Sequence, residues 1–332
     1  MAQLDHGSRD SPLISASGLS KIFYARRGAL GRKTAVAAVS DVDLQIDRGE
    51  TFGMVGETGS GKSTVGRLLL ALERPSSGEI RLDGRPIERF STNELKQMRR
   101  RVQVVFQDPY ESLNPYMTVE EILEEPFRIH GMYDGGSTSA RIRLLLDMVG
   151  LPITALHRSP GEFSGGQQQR IAIARALTLE TDLLVADEPT AALDVSIQAQ
   201  ILNLLLDIQK ETQMAMLLIS HNLLVVRHMS ARIGVMYAGR IVEMGKSEDL
   251  YRTPKHPYTI SLLSAIPVAN PKRERARKRV KIMGEAPDPS NLPTGCAFHP
   301  RCWLAEERCR VERPKLRLVG GTGQVVACHL AK

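Results

Sequence analysis

The chain has 332 residues, of which 42% are hydrophobic and 24% charged. That is enough for two domains or one large one, and it excludes a wholly disordered or collagen-like polypeptide. No apolar run approaches the ~18–20 residues that cross a bilayer, and the polar N-terminus has no leader-like apolar stretch, so a cytosolic chain is expected. The net charge of +7 is concentrated in Lys272–Lys281, where seven Lys or Arg face one acid, Glu274. This run reads as a solvated linker or as a contact for anionic lipid headgroups. No stacking aromatics accompany it, so nucleic acid is not expected.

In chain order, Ser15–Tyr24, Val36–Ile46 and Thr51–Val55 read as strands, with a basic, glycine-containing loop at Arg26–Lys33. After Gly61 the period changes. Val65, Leu68, Leu69 and Leu72 fall at i, i+3, i+4 and i+7, one face of a helix that Pro75-Ser76-Ser77-Gly78 would end. Glu79–Ile87 reads as a hairpin around Asp83-Gly84. Val102–Phe106, Leu183–Ala186 and Met214–Ile219 suit buried strands of a parallel sheet. Between them, Gly131–Ser139 reads as a loop and Gln169–Leu177 as helical. Ile233–Tyr237 and Arg240–Met244 flank Ala238-Gly239 as a late hairpin, and the Pro-rich stretch Pro267–Pro293 separates this body from a tail.

Gly56-Glu57-Thr58-Gly59-Ser60-Gly61-Lys62-Ser63 matches G-x-x-x-x-G-K-[ST] between a strand and a helix. Glycines let backbone N–H groups turn inward around phosphate oxygens, and the helix N-terminus adds partial positive charge. Lys62 would reach the β and γ phosphates, and the Ser63 hydroxyl would ligate Mg²⁺. Leu183–Glu188 supplies the matching acids: Asp187, at the carboxyl end of a buried strand, would hold Mg²⁺ through water, and Glu188 would polarise the attacking water.

All four cysteines, Cys296, Cys302, Cys309 and Cys328, lie in the tail. In a cytosolic chain such clustering suggests a metal or cluster site more than disulfides. His299 and His329 stand close by as further zinc ligands.

Ser164-Gly165-Gly166-Gln167-Gln168 lies ahead of Asp187 and opens the helical stretch. With the phosphate loop it resembles the ATP-binding cassette of ABC transporters. The resemblance implies that Gly56–Ser63 and Thr64 hold ATP. It makes Ser164, Gly165, Gly166 and Gln167 a second cap on the γ-phosphate of an ATP bound to another cassette. Gln107 resembles the glutamine that senses Mg²⁺ and faces the membrane partner, and His221 the switch histidine. Ala191-Ala192-Leu193-Asp194 resembles the D-loop. Phe23, or Tyr24 beside it, resembles the aromatic that stacks on adenine, with Val36 nearby. Gln168, Ala191 and Asn222 depart from common family residues without removing a phosphate or magnesium ligand.

Phe106–Pro115, Asp194–Gln200, His256-Pro257-Tyr258-Thr259 and Gly295–Cys302 narrow the resemblance to the oligopeptide/dipeptide transporter ATPases, nearest their F-type subunit. It spans about residues 13–330. The implied fold is α/β: a P-loop cassette over 13–265, with an antiparallel β subdomain and a helical subdomain near 110–165. A 12-residue tail would precede it, and a cysteine-bearing extension, 266–332, would follow. The implied function is ATP hydrolysis at the cytoplasmic face of the plasma membrane, coupled to peptide uptake. Two permease subunits, a second homologous ATPase and an extracytoplasmic peptide-binding protein would be partners. In relatives the four tail cysteines can hold a [4Fe–4S] cluster, with zinc as the alternative. The rival function is a non-transport ABC ATPase acting on nucleic acid or ribosomes. Against it, Lys62 and Asp187 stand only 125 positions apart, without the long coiled coil of DNA-repair types.

Overall fold

The computed structural model describes residues 11–26, 33–266, 280, 282–321 and 323–332. The predicted loop after Arg26 and the basic run, apart from Val280, lie outside the described residues. The strands are β1 (Ile14–Arg26), β2 (Lys33–Ile46), β3 (Thr51–Val55), β4 (Ser77–Leu82), β5 (Arg85–Pro86) and β6 (Val102–Val105). They continue with β7 (Leu183–Asp187), β8 (Ala215–Ser220), β9 (Arg232–Tyr237), β10 (Arg240–Lys246), β11 (Arg317–Val319) and β12 (Gln324–Val326). The helices are α1 (Lys62–Leu69), α2 (Thr92–Arg101), α3 (Pro109–Ser112), α4 (Val119–Ile129), α5 (Gly135–Met148) and α6 (Gly165–Ala176). After them come α7 (Val195–Thr212), α8 (Leu223–Met229), α9 (Ser247–Arg252), α10 (Pro257–Ala265) and α11 (Glu307–Val311). The chain divides into two compact units, one built mainly on 82–218, the other on 15–45, 51–81 and 219–332.

In the second unit, β3 is buried throughout and runs parallel to β9, with Val55 opposite Val235. The β9–β10 hairpin forms at Ala238-Gly239 as the sequence predicts, both residues at positive φ. α8 lies against β3 so closely that a Cβ on Gly53 would stand 2.1 Å from Val226 Cγ1. α1 is shorter than its apolar spacing predicts. Ala71, at φ 51°, reverses the chain. The N–H of Ala71 then donates to Leu68 O and that of Leu72 to Arg67 O, each at 3.0 Å. This pair of bonds is the Schellman closure, here made without glycine. Leu72 therefore leaves the apolar face and is 53% exposed. The cysteine tail folds back onto this unit: β12 pairs antiparallel with β10, and β11 with β12.

In the first unit, β6 and β7 are parallel, with Val105 opposite Ala186, and β8 lies on the other side of β7. Their residues form near-continuous apolar runs, as strands covered on both faces require. The helical layer comes from α3 to α7. Thr118 and Glu121 form a capping box that starts α4. The predicted Gly131–Ser139 loop is only half loop, because α5 begins at Gly135. Its small polar residues are tolerated because first-turn N–H groups lack helical partners in any case. Thr138 Oγ1 accepts from the Asp134 N–H at 3.1 Å, and Ser137 donates to the Asp134 carboxylate at 2.9 Å. Arg101, ending α2, pairs with Asp83 at 2.7 Å and with Asp182, joining the turn after β4 to the entrance of β7. Among the described residues no helix is long and apolar enough to cross a membrane.

Candidate nucleotide site

β3 delivers Gly56 at its carboxyl end, and the loop that follows is dictated by close packing. A Cβ at Gly56 would lie 2.2 Å from Met236 O, and one at Gly61 2.2 Å from Ala38 O. Gly61 sits at φ 104° and Gly59 at φ 79°, values open to glycine and costly for other residues. The Ser60 N–H donates to Glu57 O, and Ser60 O accepts from the Gly239 N–H at 2.9 Å, fastening the loop to the β9–β10 turn. Lys62 is 4% exposed, and its ammonium donates to Gly56 O at 2.9 Å and Glu57 O at 3.0 Å. The loop is thus bent around a positive charge, with Thr58 and Gly59 exposed at its crest and Ser63 in the first turn of α1. This is the donor set that phosphate oxygens and a hard cation require.

His221 lies just beyond β8 and is exposed. Asn222 starts the next helix, its Oδ1 accepting from the N–H of Leu224 at 3.0 Å and of Val225 at 3.4 Å. Phe23 and Tyr24 are exposed on β1, Tyr24 the more so, while Lys21 stacks 4.9 Å above the Phe23 ring. Val36 is half-buried on β2.

In the first unit, the parallel register brings Gln107 and Asp187 to the same ends of adjacent strands. Glu188 follows at φ 49°, a left-handed backbone that a glutamate adopts at some cost. Ser164 caps α6. Gln167 Oε1 accepts from its N–H at 3.0 Å and its hydroxyl at 3.3 Å. Gly166 is required by packing, since a Cβ there would stand 2.5 Å from Ile197 Cγ2 of α7. Asp194 is the residue from which α7 starts.

The four cysteines line one narrow cavity together with His256, His299 and His329. Gly295, at φ 66°, makes the turn that lets the Cys296 N–H donate to Cys309 O at 2.8 Å. Burial pushes the Cys296 thiol up to about 11, with the neighbouring thiols adding to the shift, and raises Cys302 and Cys328 as well. Among the described residues, no three His, Cys, Asp or Glu side chains are disposed around one metal ion. Behind the cavity, His256 is fully buried and starts α10, its Nδ1 accepting from the Tyr258 N–H at 3.0 Å. Burial holds its imidazole down at about 3. The buried Glu243 carboxylate accepts from the N–H groups of Lys255 and His256.

The chain matches the ABC transporter family over residues 39–191 and the oligopeptide/dipeptide transporter C-terminal region over 242–309. It is 48% identical to YkfD of Bacillus subtilis, over 97% of this chain and 96% of that protein. It is 45% identical to the oligopeptide transport ATP-binding protein AppF of the same organism, over 96% of this chain and 97% of the relative. To the dipeptide transport ATP-binding protein DppF of Haemophilus influenzae it is 43% identical over the same shares. The chain is an ATP-binding subunit of the oligopeptide/dipeptide ABC transporter family. A solved ATP-binding cassette, MJ0796, in a dimeric post-hydrolysis state bound to ADP and Pi, superposes with a TM-score of 0.62 at 30% identity. That superposition covers 70% of this chain and 98% of the cassette.

This ABC subunit therefore has the α/β P-loop ATPase fold, with mixed sheet and helical subdomains, and is an ABC-type ATPase that uses ATP and Mg²⁺. Its departures from common ABC residues have local explanations. Asn222 serves as the helix cap that an aspartate would also provide. Gln168 is buried and donates to Pro160 O at 2.9 Å and Phe163 O at 3.2 Å, a neutral brace beneath the signature turn. Ala191 donates its N–H to Glu188 O at 3.1 Å, a contact of the backbone alone. The sequence reading missed Gly53 and Arg301. The first was signalled by a lone glycine within an apolar strand, the second by an arginine set between two cysteines.

Proposed function

We propose that this subunit powers a membrane importer of peptides from the cytoplasmic face, coupling ATP binding and hydrolysis to uptake through two separate permease subunits. The observation that carries the reading is similarity along nearly the whole length to AppF and DppF, whose names state oligopeptide and dipeptide transport. ATP would be held by Gly56–Thr64 and Lys62, with Phe23 or Tyr24 against adenine and Val36 beside it. Mg²⁺ would be shared by Ser63, Gln107 and Asp187, whose oxygens suit a hard cation. Glu188 would polarise the attacking water, and His221 would stabilise charge on the γ-phosphate. Ser164–Gln167 and Asp194 would meet the nucleotide of a second, homologous ATPase subunit, so that two ATP molecules close a pair of cassettes. An extracytoplasmic peptide-binding protein would deliver the cargo. The catalytic body would be 13–265, with a helical subdomain near 110–165 on the signature side, Gln107 near the permeases, and 266–332 as its extension.

Cys296, Cys302, Cys309 and Cys328 would hold a [4Fe–4S] cluster. Their convergence on one cavity supports this. Zinc is the weaker fit, because a single ion needs its ligands to meet at one point, ~2.3 Å from each sulfur. Anaerobic purification with iron, sulfide and zinc analysis is expected to yield iron and sulfide, and stoichiometric zinc without iron would remove the cluster. For the enzyme, Glu188→Gln should bind ATP as the wild type does while losing ~10²-fold or more of steady-state turnover. Unchanged turnover would reject the role given to Glu188. Purification from detergent-solubilised membranes is expected to recover two permeases and a second ATPase. Recovery with ribosomes or DNA factors would overturn the import reading.

A further inference from the structure

Two motifs singled out in the sequence, His256–Thr259 and Gly295–Cys302, have no part in the ATP chemistry above, yet both reach the phosphate loop. Glu57, the first residue after Gly56, is held on three sides. Its N–H donates to the Tyr258 hydroxyl at 2.9 Å. Its carbonyl accepts from Lys62 at 3.0 Å. Its carboxylate takes two bonds from Arg301, Nη1 to Oε2 at 2.8 Å and Nη2 to Oε1 at 3.2 Å. Arg301 is 244 residues away in sequence and immediately precedes Cys302. Its side chain is 10% exposed and that of Glu57 30%.

The anchorage behind this contact is rigid. Arg301 also donates to the Tyr237 hydroxyl at 3.3 Å. Tyr237, Tyr258 and Phe298 form a buried ring cluster with centroids 4.6 to 5.5 Å apart, and Phe298 belongs to the same cysteine loop as Arg301. His256 completes the cluster, 5.8 Å from Phe298, while capping the helix that carries Tyr258. A two-bond guanidinium–carboxylate contact fixes direction as well as distance. Held at its N–H, carbonyl and carboxylate, Glu57 has little freedom, and these contacts fix the loop backbone around it. Such preorganisation is what a phosphate-binding loop needs, because ordering it on binding would subtract from affinity.

We infer that Arg301 is a positioning residue for the phosphate loop: through Glu57, and together with Tyr258, it sets the loop for ATP and makes the cysteine-bearing segment a determinant of ATP affinity. The inference rests on the assignment of Gly56–Thr64 as the ATP site. Cys302 is the residue after the guanidinium, so a change in the cysteine cavity reaches the ATP site along the backbone from Cys302 to Arg301.

The test uses the purified full-length chain, with a fluorescent ATP analogue for affinity, steady-state hydrolysis for kcat and KM, and thermal unfolding to confirm folding. Arg301→Gln and Glu57→Gln should each raise KM and Kd for ATP by roughly three- to tenfold, and Arg301→Gln should leave kcat within about twofold of wild type. The double variant should be no worse than either single one, because both remove the same contact. The charge exchange Glu57→Arg with Arg301→Glu should recover part of the affinity. Cys302→Ser should raise KM in the wild-type background and add nothing in Arg301→Gln. Unchanged affinity in folded single variants, or single effects that multiply in the double, would overturn the positioning role. A Cys302→Ser effect of equal size in both backgrounds, or none in either, would overturn the link to the cysteine cavity. Failure of the wild type to bind the analogue would instead refute the ATP-site assignment itself.

Discussion

Gly53→Ala places one methyl group where no space exists. The new Cβ would stand 2.1 Å from Val226 Cγ1, 2.6 Å from Ser230 Oγ and 3.1 Å from Ser230 Cβ. Val226 is fully buried and Ser230 nearly so, and a β-branched side chain in a helix has essentially one rotamer. Relief must therefore come from moving α8 away from β3. Overfilling a packed site costs ~1–3 kcal/mol, and two contacts below 3.0 Å put this case at the upper end. The ~0.4–1 kcal/mol that Gly→Ala gains by restricting the unfolded chain offsets part of that. A net loss of ~2 kcal/mol corresponds, at ~2–4 °C per kcal/mol, to a Tm lower by ~4–8 °C. Because Asn222 and His221 lead into α8, kcat should fall more than ATP affinity. Adding Val226→Ala empties the space the methyl needs, so Gly53→Ala/Val226→Ala should be more stable than Gly53→Ala alone. Differential scanning fluorimetry on the purified chain with and without ATP reads stability and ATP binding, and steady-state hydrolysis reads kcat. A Tm within 1 °C of wild type for Gly53→Ala, or a double variant less stable than the single, would refute the packing argument.

Asn222→Ala should cost ~1 kcal/mol by leaving the first N–H groups of α8 uncapped, while Asn222→Asp should leave stability unchanged, as denaturant midpoints will report. Arg101→Met leaves the Asp83 and Asp182 carboxylates without their shared partner. A loss of ~1–3 kcal/mol is expected, and urea unfolding at low and high salt will show whether it is ionic in origin. His256 gives a pH signature. The unfolded chain takes up a proton as pH falls through about 6.5, whereas the buried imidazole resists protonation down to about 3. Stability present above pH 6.5 is therefore lost progressively between those values, by up to ~1.4 kcal/mol per pH unit. His256→Asn keeps an acceptor for the Tyr258 N–H but does not titrate, so its stability should decline less between pH 7.5 and 5. An acid limb as steep as that of the wild type would show that other groups govern it.

Much of the site was legible because its chemistry is written locally. The phosphate loop needs glycine at fixed offsets between a strand and a helix, and Gly56–Ser63 lies there in both sequence and structure. The buried strands β3, β7 and β8 were equally plain, since continuous apolar runs leave few alternatives, and in β6 only Gln103 interrupts the valines. What was hidden depended on distance or on substitutes. The end of α1 was missed because Ala71 adopts the left-handed backbone without a glycine to announce it. The start of α5 was missed because Gly135, Gly136 and Ser137 look like a loop and serve as a first turn. The hold of Arg301 on Glu57 spans most of the chain and leaves no periodic trace.

One further consequence attaches to the short strand β12. It covers the outer side of β10, where Val242, Glu243 and Met244 would otherwise present a row of unpaired backbone groups. An open edge of that kind invites pairing with another chain. Shortening the protein after α10, even with every nucleotide-binding residue retained, would thus create a template for aggregation. The last strands of this subunit serve as a guard on solubility as well as a frame for the cysteines.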